Sequence, residues 1–247
     1  MTSRKPNLKL STKILISILI LFVTGVVVAD LKLKSVYDKV DKTDPYWNYS
    51  AILQQPYKYL KIDGGNVSNI IYQPGPRPSV RILNYWWDYK KGESVTAYVK
   101  NDTLHLHISN KLENLAHKNW MKSKVVVRLF GPQLLSVDGS DTNFELQKLK
   151  QNTFAVNLRG KSRLEVESYK HDFDSISVSG RDSSAVVFEM SPDIKGTKTM
   201  TFAHANVVLK DYSILDIGHA RTADLKLNVT DTSAIVLSGK SIAGLRK

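Results

Sequence analysis

The sequence has no cysteine. Disulfides, cysteine-ligated zinc and a thiol nucleophile are therefore excluded, as is lipid attachment through a lipobox cysteine. Beyond the N-terminal region it also lacks any long run with apolar residues every three to four positions, which argues against a helical bundle. No Walker loop, serine nucleophile elbow or His-Glu-x-x-His motif occurs, so the familiar signatures of nucleotide, ester and zinc-dependent peptide hydrolysis are missing. Acidic residues are the scarcer charge, with 23 Asp and Glu against 35 Lys and Arg.

What is present is ordinary for a folded protein. The 247 residues are 42% hydrophobic and 23% charged, enough to bury a real core in one large domain or two small ones. Four of the basic residues, Arg4, Lys5, Lys9 and Lys13, precede the first apolar segment, and taking them from the formal +12 leaves +8 for the rest. The remaining Lys and Arg are scattered rather than clustered. That pattern disfavours nucleic acid as a partner and suits a domain close to anionic lipid or glycan.

The segment Ile14 to Ala29 carries no charge. As a helix it spans roughly 24 Å, a little short of a 30 Å hydrocarbon core, and flanking Lys13 and Lys32 can snorkel to cover the difference. The positive charge before it predicts a cytoplasmic N-terminus, an inner-membrane single pass and a periplasmic C-terminal bulk. Cleavage after Val27-Val28-Ala29, giving a secreted protein, is the alternative. The organisation expected is thus a basic region over 1–13, a signal anchor over 14–29, a juxtamembrane spacer over 30–58 with one short helix ended by Pro56, and a β domain over 59–247.

From Tyr59 onward strand-like runs alternate with Gly, Asn, Asp and Ser turns. Asn110 to Trp120 is the exception and reads as a helical turn or insertion. In the C-terminal half a frame recurs: Leu135-Ser-Val137-Asp-Gly139, Val156-Asn-Leu158-Arg-Gly160 and Ile176-Ser-Val178-Ser-Gly180, then runs ending at His204, His219 and Gly239. A repeat of about 20 residues with short strands and no intervening helix predicts an all-β fold, a parallel β-helix with one rung per repeat. An antiparallel sandwich would show similar strands but gives no reason for a recurring corner.

Asn101-Asp-Thr-Leu-His-Leu106, the run Val125 to Ser140 and the Ser-Gly corners at 179–180 and 238–239 resemble the auto-transporter adhesin head (GIN) domain family of Bacteroidetes-type bacteria. The resemblance covers roughly Tyr59 to Lys247. It implies a right-handed β-helix outside the cytoplasm and an adhesin-like role, and brings no catalytic residues with it.

Several constellations could carry chemistry. His204 and His219 share the corner column in the predicted frame, where neighbouring imidazoles could hold a metal or titrate together; a solvated pair explains them as well, since no third ligand is evident. His105 and His107 fall on one strand face opposite Leu104, Leu106 and Ile108, an arrangement that could chelate or simply face solvent. Tyr85, Trp86, Trp87 and Tyr89 stand beside Lys90 and Lys91. Aromatic faces stack on sugar rings, so this cluster is a ligand-binding candidate, against the alternative that it caps the first rung. Glu145 and Glu165 are expected to be outer-face neighbours, but the positions before the corners form no acidic ladder, so an enzyme is not expected. No cofactor is implied. The expected function is a non-enzymatic envelope scaffold or adhesin-like binding element with an envelope protein or glycan partner. The alternative is a glycan-binding or polysaccharide-active β-helix protein.

Overall fold

The computed structural model describes residues 9–84, 95–109, 125–148, 150–167, 174–189, 201–218, 220–230, 232–237 and 239. The chain divides into two compact units, Met1–Trp47 and Asn48–Lys247. The first unit is dominated by α1, Leu10–Asp38, whose apolar stretch has a mean hydropathy of 2.7 and buries none of its residues. It is long and apolar enough to cross a membrane. The helix continues nine residues past Ala29, so part of the expected spacer is helical. No proline or glycine interrupts that extension, and Leu31, Leu33 and Val36 keep an apolar component along it.

The second unit contains seventeen described strands in two large sheets. Tyr49–Leu53 (β1) is the first of them. It forms an edge strand rather than the short helix expected there, pairing antiparallel with Ser79–Leu83 (β4). Between them lie Tyr59–Gly64 (β2) and Asn69–Pro74 (β3), followed after β4 by Val95–Lys100 (β5), Thr103–Ile108 (β6) and Val125–Gly131 (β7). The remaining ten come in pairs: Ser136–Ser140 (β8) with Asn143–Gln147 (β9), Thr153–Arg159 (β10) with Arg163–Glu167 (β11), Ser175–Gly180 (β12) with Ala185–Glu189 (β13), Thr201–Leu209 (β14) with Ile214–Gly218 (β15), and Arg221–Val229 (β16) with Ala234–Leu237 (β17).

The first member of each pair joins the eight-stranded sheet, ordered β16-β14-β12-β10-β8-β2-β6-β5. The second joins the nine-stranded sheet, ordered β1-β4-β7-β3-β9-β11-β13-β15-β17. Strands from successive pairs run parallel in both sheets, whereas β1–β4, β4–β7 and β5–β6 are antiparallel. The second unit is built of strands, as expected over 59–247, but its two sheets are mixed rather than the uniformly parallel arrangement expected there. The departure is confined to the region of β1 and β4–β7, where the sequence lacks the recurring frame. Asn110 to Trp120 lies outside the described residues.

Alternation drives the fold. Leu60 and Ile62, Val156 and Leu158, and Ile176 and Val178 are buried while their neighbours face out. In register they form ladders, one of them Ile70, Phe144, Leu164, Val186, Leu215 and Ile235 across the nine-stranded sheet. Both sheets contribute to one hydrophobic core. Just before five of these ladder positions sits a buried hydroxyl: Ser68, Thr142, Ser162, Ser184 and Ser213. Ser162 Oγ accepts from Thr142 N at 3.2 Å and donates to Arg159 O at 2.6 Å, and the hydroxyls of Ser184 and Ser213 are 3.2 Å apart. Hydrogen-bonded hydroxyls let the chain pass from one sheet to the other without stranding backbone donors.

The corner frame itself needs correction. Gly139 is in register with Leu158, not Gly160; the column continues through Gly180, Leu209 and Val229. These glycines lie inside strands, where leucine neighbours fill the space their missing side chains leave. A Cβ on Gly139 would stand 2.8 Å from a Leu158 methyl and 2.8 Å from the Thr142 methyl. Gly139→Ala is thus expected to cost about 1–3 kcal/mol through overpacking. Trimming Leu158 to Ala in the same chain should recover part of that loss, seen as non-additivity in a double-mutant denaturation cycle. Strict additivity would show that the two residues do not share the space.

Candidate functional site

The two outer faces differ in kind. On the nine-stranded sheet the polar side chains bond to one another. Arg128 donates to Gln73 at 3.2 Å, Gln73 to Gln147 at 2.7 Å, Gln147 to Glu145, and Asn69 to Glu145 at 2.9 Å. Glu145 and Glu165 are in-register neighbours, as expected, and Arg163 pairs with Glu165 at 2.6 Å. Arg128 and Arg81 also lie over the rings of Tyr49 and Phe130, at 5.3 and 5.8 Å. The side-chain bonds among Arg128, Gln73, Gln147, Asn69 and Glu145 stay within the sheet, which is what a structural ladder does.

The eight-stranded sheet presents short polar groups to solvent. One row across all its strands reads Tyr98, His105, Lys61, Asp138, Asn157, Ser179, Val208 and Asn228; the next reads Lys100, Thr103, Tyr59, Ser136, Ala155, Ser177, Asn206 and Lys226. Alternation with the buried ladders puts these residues on the outer face, spaced by about 4.8 Å from strand to strand. At the β5 edge the rings of Tyr98 and His105 stack with centroids 4.7 Å apart and planes within 4°. Tyr98 is 54% and Tyr59 41% exposed, so aromatic surface remains open to a ligand.

Two His–Asp pairs lie on this face. His107 Nδ1 is 2.9 Å from Asp63 Oδ2, and His204 Nδ1 is 3.3 Å from Asp224 Oδ2. A carboxylate oxygen accepts, so an Nδ1–H in each ring would donate to its aspartate. His105 and His107 do share a face, as expected. One is engaged by Tyr98 and the other by Asp63, so the arrangement does not converge on a common point.

Of the candidate pair His204 and His219, only His204 falls within the described residues. His204 belongs to β14 of the eight-stranded sheet, level with Ser175 and Asp224, whereas Gly218 belongs to β15 of the nine-stranded sheet. The predicted frame counted a constant period, but β14 is displaced by the longer connection that precedes it. His219 itself lies outside the described residues. So do Tyr85, Trp86, Trp87 and Tyr89. Among the described residues no group of three or more His, Asp or Glu is placed to hold a metal ion.

Around His204 the surface is concave. The in–out alternation of β14 slips by one, so that Ala203 and His204 are both exposed between buried Phe202 and Ala205, and β16 keeps register across the slip. Such slips re-aim side chains. The resulting groove, about 250 Å³, is lined by Ser175, His204, Ala205, Asn206, Asp224 and Lys226. A larger open depression of about 590 Å³ lies at Pro132, Gln133, Leu135 and Lys150 to Thr153. There Gln151 already donates to Leu134 O and to Thr153 O and accepts from Leu134 N, so its amide is committed to holding two links together. No sequence motif announced the His204 groove. The slip that makes it breaks the very alternation used to read the strands.

No family model matches the chain, and no curated protein matches it. Among solved structures it is similar to a "putative adhesin" from Bacteroides fragilis, at 14% identity and TM-score 0.39, over 76% of this chain and 95% of that one. A "putative adhesin" from Parabacteroides distasonis matches at 14% identity and TM-score 0.43, over 76% and 79% of the two chains. A "putative lipid binding protein" from the same species matches at 12% identity and TM-score 0.39, over 76% and 95%. Likenesses this distant assign neither a fold nor an activity.

Proposed function

We propose that this chain is a non-enzymatic binding module of the bacterial envelope, held at the inner membrane by α1, with the second unit in the periplasm as an adhesin-like recognition element. On this reading the paired strands from β8 onward are rungs of a right-handed parallel β-helix of the GIN type. The parallel register of successive pairs and the right-handed preference of parallel crossovers support that part. The four basic residues before Ile14 support the topology.

One observation carries the binding role. The outer face of the eight-stranded sheet carries exposed Asn157, Ser179 and Asn228 in one row and exposed Ser177, Asn206 and Lys226 in the next, and ends on the Tyr98–His105 stack, whereas Arg128, Gln73, Gln147, Asn69 and Glu145 on the opposite sheet are bonded to one another. Among envelope ligands, the stack of Tyr98 on His105 beside Tyr59 favours a glycan over a protein, because an aromatic face matches the apolar face of a sugar ring while Ser, Asn and Lys reach its hydroxyls.

The test is titration of the full chain in detergent micelles with cellohexaose, chitohexaose and mannohexaose. At least one should bind, and Tyr98→Ala should weaken it by about 5- to 30-fold, the loss of roughly 1–2 kcal/mol of stacking. The melting temperature should move little, since Tyr98 is on an edge strand and more than half exposed. Equal binding by the wild type and the Tyr98 variant would remove this face from consideration.

A further inference from the structure

We infer that the groove between β12, β14 and β16 is a subsite for one neutral sugar ring, a specific ligand position that rests on the glycan reading above. The geometry of the groove decides among ligand classes. A metal ion is disfavoured, since His204 Nδ1 is occupied by Asp224 and Ser175, Asn206 and Lys226 add no further strong ligand. An anion would meet Lys226 but also the Asp224 carboxylate, and the two charges offset one another. An apolar ligand would find only Ala205.

What the lining offers is a mixed set. Lys226 donates, the Asn206 amide and the Ser175 hydroxyl each donate and accept, and the His204 imidazole, with Nδ1 3.3 Å from Asp224 Oδ2, adds its second ring nitrogen. A ring carrying several hydroxyls is the small neutral ligand that can use alternating donors and acceptors at this spacing. The volume sets the size. At about 250 Å³ the groove falls below the roughly 300–1,000 Å³ of sites that enclose drug-sized ligands, and suits a single ring rather than a buried oligomer.

Continuity supports an extended glycan seated by one ring. Asn206 lies in register with Ser177, and Ser177 with Ala155, on the same outer row that reaches Tyr59. A chain crossing the strands therefore meets small polar side chains beyond the groove, with no bulky residue in that row before Tyr59. Asp224 acts as a positioning residue: it fixes the His204 tautomer and has its other oxygen left for solvent or ligand.

The experiment uses the full chain in detergent micelles and whichever of the three hexaoses the wild type binds. Asn206→Ala with Lys226→Ala should weaken binding by about tenfold or more, while the melting temperature changes little because both side chains are exposed. Asp224→Asn should move the His204 imidazole 15N shifts away from the Nδ1-protonated pattern and lower affinity in parallel; an intact tautomer with lowered affinity would remove the positioning role. If the double variant binds like wild type while Tyr98→Ala does not, the groove is no subsite and the recognition face stands. If none of the hexaoses binds the wild type at millimolar concentration, both the groove and the glycan reading fall.

Discussion

Gly64→Ala should destabilise the second unit by about 3–5 kcal/mol, among the largest effects available to a single methyl group. Gly64 closes β2 with φ +84, a conformation that L side chains rarely adopt. A Cβ built there would stand 1.9 Å from the carbonyl oxygen of Ile108 and 3.1 Å from its carbonyl carbon. Both atoms are backbone, and Ile108 is the register partner of Gly64 in the β2–β6 pair. Nothing can rotate away, so strands must separate at the end of a ladder whose neighbours Ile62 and Leu106 are core residues. Gly65 is the natural control. It shares a positive φ of +85, but its Cβ would meet the Ile108 Cδ1 methyl at 2.9 Å, the far end of a side chain. Gly65→Ala should cost only about 1–2 kcal/mol, mostly backbone strain. Urea denaturation of the two variants separates the cases. Equal losses would mean that the left-handed backbone alone, and not the close approach of β2 to β6, requires glycine at position 64.

The sequence signalled the strands more clearly than their order. Alternation at Leu60-Lys-Ile62, Leu104-His-Leu106 and Val156-Asn-Leu158 is a local property, and each of these runs is a strand with the expected face buried. Register depends on connection length, which no local pattern encodes. Placing Gly139, Gly160 and Gly180 in one column looked sound because glycine often marks a turn. In the sheet Gly139 and Gly180 are strand residues making room for Leu158 and Leu209, and only Gly160, at φ +64, sits at a turn. The steadier marker was the hydroxyl two residues before an apolar pair: Thr142 before Phe144, Ser162 before Leu164, Ser184 before Val186 and Ser213 before Leu215. Its physical cause at Ser162, Ser184 and Ser213, a buried Oγ bonding to backbone or to the next hydroxyl, is invisible until the corner is folded.

The antiparallel pairings of β1, β4, β5 and β7 were not legible for a related reason. A strand reads the same whether its neighbour runs with it or against it, and the difference lies in distant partners such as Arg81 opposite Arg128. The candidate site shows the same division. That His105 and His107 share an outer face follows from counting by twos. That His204 faces Asp224 required knowing that β14 and β16 are neighbours and that β14 slips at Ala203.

Alkaline pH should expose the core more sharply than acid. Tyr57 and Tyr72 are 3% and 0% exposed, and their hydroxyls donate to Phe130 O at 2.9 Å and Gly131 O at 2.7 Å. Burial pushes both phenols well above the ordinary value of 10.0, with the neighbouring Tyr72 adding to the shift of Tyr57. The protonated phenol is therefore the form the folded state favours. Below pH 10 both folded and unfolded chains hold these protons, and the stabilisation is fully present. Above pH 10 the unfolded chain releases them while the folded chain does not, so stability falls by up to about 1.4 kcal/mol per pH unit for each group until the folded-state ionisation is reached. With a total stability of roughly 5–15 kcal/mol, two such groups bring the unfolding midpoint into reach near pH 12. Tyr57→Phe with Tyr72→Phe removes both protons from the balance and also both hydrogen bonds, at about 1 kcal/mol each. The double variant should thus be the less stable protein at pH 8 and the more stable one near pH 12, with the two urea-midpoint curves crossing between. Parallel curves would show that the phenols ionise alike in both states and that the carbonyls of Phe130 and Gly131 do not hold them protonated.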